Sequence, residues 1–215
     1  MIVYWLLLLP VAFIAYVFGS FDSLVLASNF VFHRDLKRLG TGDQWLSNFR
    51  RLYGLKGALL LLLVELVKDL VPIGLGGLLL LIKGHAPIGF AFAGFCLVLG
   101  RLYPVFYGFR GGQASIALTV LAFFCGKTIG AFALLVLLLT TWFSRYFSLG
   151  AFVEAMSVAL IALLMATDPL VGKITAIAAA LVMIKHVPAM IRIIQHREFR
   201  FSKQEDLSYK LDEKF

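Results

Sequence analysis

Long apolar runs separated by short polar breaks repeat along nearly the whole chain, at residues 2–18, 58–82, 88–106, 114–125, 129–143, 149–166 and 170–184. Runs of this length without period-two alternation read as helices that cross a membrane. The pattern therefore predicts an all-α integral membrane protein with seven transmembrane helices. The fourth run is short and spans only by tilting or by recruiting its flanks. The first run lacks a basic leader and a small-residue cleavage site, so it is expected to be retained as a helix. Residues 1–194 form one membrane domain on this reading, and residues 195–215 form a charged cytoplasmic tail.

Seven spans place the two termini on opposite sides, and the basic residues choose between them. Fifteen Lys and Arg fall in the polar stretch before residue 58, at Arg110 and Arg145, and from Lys185 to the end, against three at Lys83, Lys127 and Lys173. The N-terminus is accordingly expected outside and the C-terminus in the cytoplasm. Composition agrees with the class: 61% of the 215 residues are hydrophobic and 15% charged, which excludes an ordinary soluble domain. The net charge of +8 lies between apolar runs and in the tail, so anionic lipid and phosphorylated compounds fit better than nucleic acid. Cys96 and Cys125 sit in apolar runs without metal-ligand spacing and read as small buried hydrophobes.

The candidate chemistry begins at Gly108-Phe109-Arg110-Gly111-Gly112-Gln113-Ala114. Gly111 and Gly112 leave backbone N–H groups uncovered for an anion, and Arg110 adds a guanidinium beside a helix start. A plain connector between two spans explains the same letters. Within the spans stand Glu65, Lys68, Asp69, Arg101 and Glu154, each needing a partner in an apolar setting. Glu65 and Lys68 share a helical face and can pair.

Several stretches together resemble the bacterial membrane-bound glycerol-3-phosphate acyltransferases that use acyl phosphate as donor. Asp35-Leu36-Lys37-Arg38-Leu39-Gly40-Thr41-Gly42-Asp43-Gln44-Trp45-Leu46-Ser47-Asn48-Phe49-Arg50-Arg51 is similar to the family's first motif, D-I-R-x-x-G-S-G-N-x-G-A-T-N-V-x-R. The glycine turn falls on its second, G-F-K/R-G-G-K-G. Ser144-Arg145-Tyr146-Phe147-Ser148-Leu149 matches S/T-R-Y-x-S-L, and the segment from His186 to Ile193 lies on H-R-E-N-I-x-R-L. The resemblance implies transfer of an acyl group from acyl phosphate to glycerol 3-phosphate, giving lysophosphatidic acid for phospholipid synthesis, with no metal or bound cofactor. It implies Asn48, Ser148 and His186 as catalytic residues. It implies Thr41, Ser47, Arg51, Arg110, Gly111, Gly112 and Arg145 as substrate-binding residues. Partners would be the two substrates, membrane lipid and an enzyme that makes acyl phosphate.

Departures from the motifs define a second reading. Gln113 and Ala114 replace the Lys and Gly of G-G-K-G, Pro188 and Ala189 replace the Glu and Asn of motif three, and Asp43 brings a carboxylate to an anion loop. Arg101, where the family has His, is a candidate for restoring the missing charge as a further substrate-binding residue. The alternative function is a non-catalytic relative that partners or regulates a genuine acyltransferase. A small transporter is a third class, permitted by the intramembrane charges but unsupported by any inverted repeat.

Overall fold

The computed structural model describes residues 2–23, 45–109, 111, 112 and 114–198, with side chains from residues 7–23 and from residue 54 onward. The order is α1 (Ile2–Ser20), α2 (Trp45–Leu81), α3 (Ala86–Leu102), a 3-10 turn (Val105–Tyr107), α4 (Ser115–Cys125), α5 (Lys127–Ser144), α6 (Phe147–Met165) and α7 (Pro169–Ile194). The described residues thus form an all-α fold.

Local chemistry sets the ends of these elements. Asp168 caps α7, its carboxylate accepting from the Leu170 N–H at 2.8 Å, while Pro169 supplies a first helical residue that needs no N–H partner. Between α5 and α6 the chain turns through Arg145 in the left-handed region, its N–H bonded to Thr141 O at 2.8 Å. Ser144 closes the same corner by donating to Thr140 O and accepting from Tyr146 N–H. Gly54, at φ 67° and ψ −166°, breaks α2 near its start.

Helix α3 lies at the centre, packed against α1, α2, α4 and α7. Its Leu97, Val98 and Leu102 meet Leu118 and Leu121 of α4 and Val182 of α7 in one buried core. The crossing of α1 and α3 is so close that a Cβ on Gly100 would overlap the Tyr16 carbonyl oxygen, and one on Gly19 the Leu97 carbonyl oxygen. Small residues here replace side-chain interdigitation with backbone contact, a usual solution where lipid gives no hydrophobic drive between helices. Large apolar side chains instead face outward, among them Leu63 and Leu78 of α2, Leu138 of α5 and Leu164 of α6.

The seven-span expectation does not hold. Among the described residues four helices are long and apolar enough to cross a membrane, at Ala86–Tyr107, Lys127–Ser144, Phe147–Met165 and Pro169–Ile194. Leu7–Ser20 and Ser115–Cys125 are shorter apolar helices. Helix α2 carries Glu65, Lys68 and Asp69 through its middle, which takes it out of the set. An outside N-terminus and a cytoplasmic C-terminus were deduced from an odd number of spans, so that orientation falls with the count.

Candidate functional site

Four charges from two helices are buried together where α2 meets α3. Glu65, Lys68 and Asp69 lie on the inward face of α2, and Arg101 stands in the last turn of α3. The Arg101 guanidinium pairs with Glu65 and also donates to both Asp69 oxygens at 2.9 and 3.1 Å. Lys68 lies 3.7 Å from Glu65 and donates to the Phe21 carbonyl at 2.7 Å. Two anions therefore face two cations, with Asp69 and Glu65 no more than 1% exposed. The guanidinium of Arg101 is committed to protein carboxylates, so its nearest effect is to anchor the end of α3, from which the glycine turn departs.

That turn is held from several sides. Tyr16 Oη donates to Tyr103 O at 2.7 Å, Phe21 stacks on Phe106, and Lys185 of α7 donates to Leu102 O at 3.2 Å. Phe109 N–H and Tyr107 N–H return to Pro104 O, and Gly108 and Phe109 both have positive φ. Gly111 then packs down on the end of α3, where a Cβ would overlap the Arg101 and Leu102 carbonyl oxygens. Only glycine fits that approach. Gly112 has open space around it.

A second polar cluster lies where α6 begins and α7 ends. Ser148, 4% exposed, donates to Glu198 Oε1 at 2.6 Å, and Arg192 Nε donates to Glu198 Oε2 at 2.7 Å. His186, also on α7, is buried, its Nδ1 2.8 Å from Val182 O, so Nδ1 carries the proton and Nε2 is left for another partner. Glu198 belongs to a segment whose alternating charges read as a solvated tail; its burial against Ser148 has no local sequence signal.

Between α2, α4 and α5 runs an apolar groove of about 870 Å³. Leu62, Leu66, Phe123, Leu134 and Leu138 line it, together with Arg145 and Phe147 from the corner that follows α5. Thr119 on its wall bridges Ser115 O and the buried Glu154 carboxyl, which gives that intramembrane acid its partner. No cluster of His, Cys, Asp and Glu able to hold a metal occurs among the described residues.

Of the residues expected in the site, Arg145 and Ser148 are adjacent across one helix start, Ser148 is held by Glu198, and His186 is bonded within its own helix. Arg101 and Gly111 meet at the end of α3. Thr41 and Arg110 lie outside the described residues, as do the side chains of Ser47, Asn48 and Arg51, whose backbone opens α2.

Compared with known families, residues 9–196 match the one described as glycerol-3-phosphate acyltransferase. A curated glycerol-3-phosphate acyltransferase of Trichlorobacter lovleyi is 32% identical over 189 residues, covering 87% of this chain and 94% of the relative. One from Hydrogenovibrio crunogenus is 28% identical over 191 residues, covering 88% and 90%. Among solved structures, PlsY (YgiH), an integral membrane glycerol 3-phosphate acyltransferase, superposes in its glycerol 3-phosphate form with a TM-score of 0.74 at 27% identity, covering 91% of this chain and 96% of that one. Its lysophosphatidic acid form gives 0.75 at 26% identity, covering 93% and 98%.

Proposed function

The chain belongs to the glycerol-3-phosphate acyltransferase family and is an integral, multi-pass membrane protein, and from that premise we propose that it moves an acyl group from acyl phosphate to the 1-hydroxyl of glycerol 3-phosphate. The 1-hydroxyl oxygen attacks the acyl carbon, the carbon–oxygen bond to phosphate breaks, and phosphate leaves with the electron pair while the hydroxyl proton passes to a phosphate oxygen. The products are lysophosphatidic acid and inorganic phosphate. The observation that supports this reading is the groove: an apolar space of about 870 Å³ whose lining includes the cationic Arg145 suits an acyl chain with a phosphate head. That volume falls within the about 300–1,000 Å³ usual for small-molecule sites.

Residue roles follow from the chemistry of two phosphates brought together at a membrane. Arg110, Gly111, Gly112 and Arg145 hold phosphate through N–H groups and guanidinium forks. Thr41, Ser47 and Arg51 bind the polar substrate, while Asn48, Ser148 and His186 polarise the reacting oxygens. Arg101 acts from behind, holding the end of α3 through Glu65 and Asp69. An enzyme that produces acyl phosphate is the partner such a reaction needs, at the bacterial inner membrane.

Two observations favour the non-catalytic alternative: the Glu198 carboxylate occupies the Ser148 hydroxyl, and Pro188 and Ala189 put no polar side chain into the third motif. Purified protein incubated with acyl phosphate and labelled glycerol 3-phosphate is expected to yield labelled lysophosphatidic acid. Absence of product, beside an active family member in the same detergent, overturns the enzymatic reading in favour of the regulatory one.

A further inference from the structure

We propose that Lys185 is a phosphate-binding residue of the glycine turn, delivering from α7 the ammonium charge that position 113 does not provide. The inference rests on the acyltransferase reading for its substrates, though the charge and its place do not.

The geometry brings three elements to one oxygen. Lys185 Nζ donates to Leu102 O at 3.2 Å and lies 4.8 Å from the centre of the Tyr103 ring, above its face. Gly111 packs on that same carbonyl oxygen, so the ammonium and the start of the glycine pair are neighbours although 74 positions separate them. Lys185 therefore reaches the turn without belonging to it.

Charge balance singles this lysine out. Arg101 is matched by Glu65 and Asp69, and Lys68 by Glu65. No carboxylate pairs with Lys185 among the described residues; its contacts are a carbonyl and a ring. One N–H of the ammonium serves Leu102 O, and two remain. The turn it reaches, and the helix that follows, carry other unspent donors. The backbone N–H groups of Gly111 and Gly112 make no hydrogen bond among the described residues. Ser115 opens α4 with a hydroxyl that is buried and unpartnered, and Ala114 before it offers no side-chain cap. Uncovered N–H groups at a helix start attract an anion, and a compact ammonium is the point charge that phosphate takes alongside them. The ligand class is a phosphate monoester or acyl phosphate.

A merely structural Lys185 would cap the C-terminal carbonyls of α3, and a neutral donor would serve that purpose as well. Lys185→Gln keeps a donor toward Leu102 O and removes the charge, so it separates the two roles. Binding of inorganic phosphate to the full-length protein in detergent is expected to weaken about tenfold in Lys185→Gln and to recover in Lys185→Arg, with the unfolding temperature of Gln and wild type alike. In turnover, varying glycerol 3-phosphate at saturating acyl phosphate, and then the reverse, identifies the phosphate held: its KM rises about tenfold while kcat changes less. Phosphate binding within twofold of wild type in Lys185→Gln overturns the proposal. A wild type that binds phosphate through Lys185 but forms no lysophosphatidic acid overturns the acyltransferase reading and leaves the binding role standing.

Discussion

Removing the Arg101 guanidinium would strand Glu65 and Asp69, both buried, with Lys68 as their only remaining cation among the described residues. Breaking a buried pair from one side costs about 3–5 kcal/mol. Arg101→Ala is therefore expected to lower the unfolding temperature in detergent sharply, ahead of any change in substrate affinity. A variant that melts like wild type would show that the carboxylates relax at no cost. At the second cluster, Ser148→Ala and Glu198→Ala are expected to couple, with a double-mutant interaction of about 0.5–3 kcal/mol in the unfolding free energy. The letters of the chain marked Arg101 and Ser148 but not these partners. Asp69 lies 32 positions before Arg101, and Glu198 lies 50 after Ser148. Spacing rules reach one or two helical turns, so contacts across helices are invisible to them. The expectation that Arg101 serves phosphate came from its place where the family has His, and an intramembrane charge announces the need for a partner without naming it.

Elements were more legible than their depth. Each apolar run became a helix, because uninterrupted apolarity requires backbone groups to satisfy themselves. Counting each run as a span failed, since α4 has 11 residues and α2 carries three charges in its central turns. Eleven residues rise about 16 Å, roughly half a hydrocarbon core. Sequence also leaves open which glycines are connectors and which are contact points; Gly19 and Gly100 are resolved only by the α1–α3 crossing. Gly100→Ala puts a methyl group into the Tyr16 carbonyl and is expected to destabilise by about 1–3 kcal/mol. Thermal unfolding followed by circular dichroism checks this, with Gly112→Ala, where nothing lies within 4 Å of the new methyl, as the neutral comparison.

For the whole molecule, the groove between α2, α4 and α5 joins the fold to the proposed chemistry. A large side chain on its wall should shorten the space for an acyl chain. Leu62→Trp is expected to lower kcat/KM for long acyl phosphates relative to short ones, by roughly fourfold for each methylene shut out, given about 0.8 kcal/mol per buried methylene. Equal loss for all chain lengths would place the chain elsewhere.

The rim of that groove bears Phe123, Leu138 and Trp142, exposed by 41%, 59% and 81%, in the zone where an apolar surface meets lipid. A donor reaching such a rim travels by lateral diffusion in the bilayer leaflet. Its effective concentration is then a mole fraction among lipids, so added inert phospholipid or detergent should slow turnover by surface dilution even when the bulk donor concentration is unchanged, while the water-soluble acceptor obeys ordinary bulk kinetics.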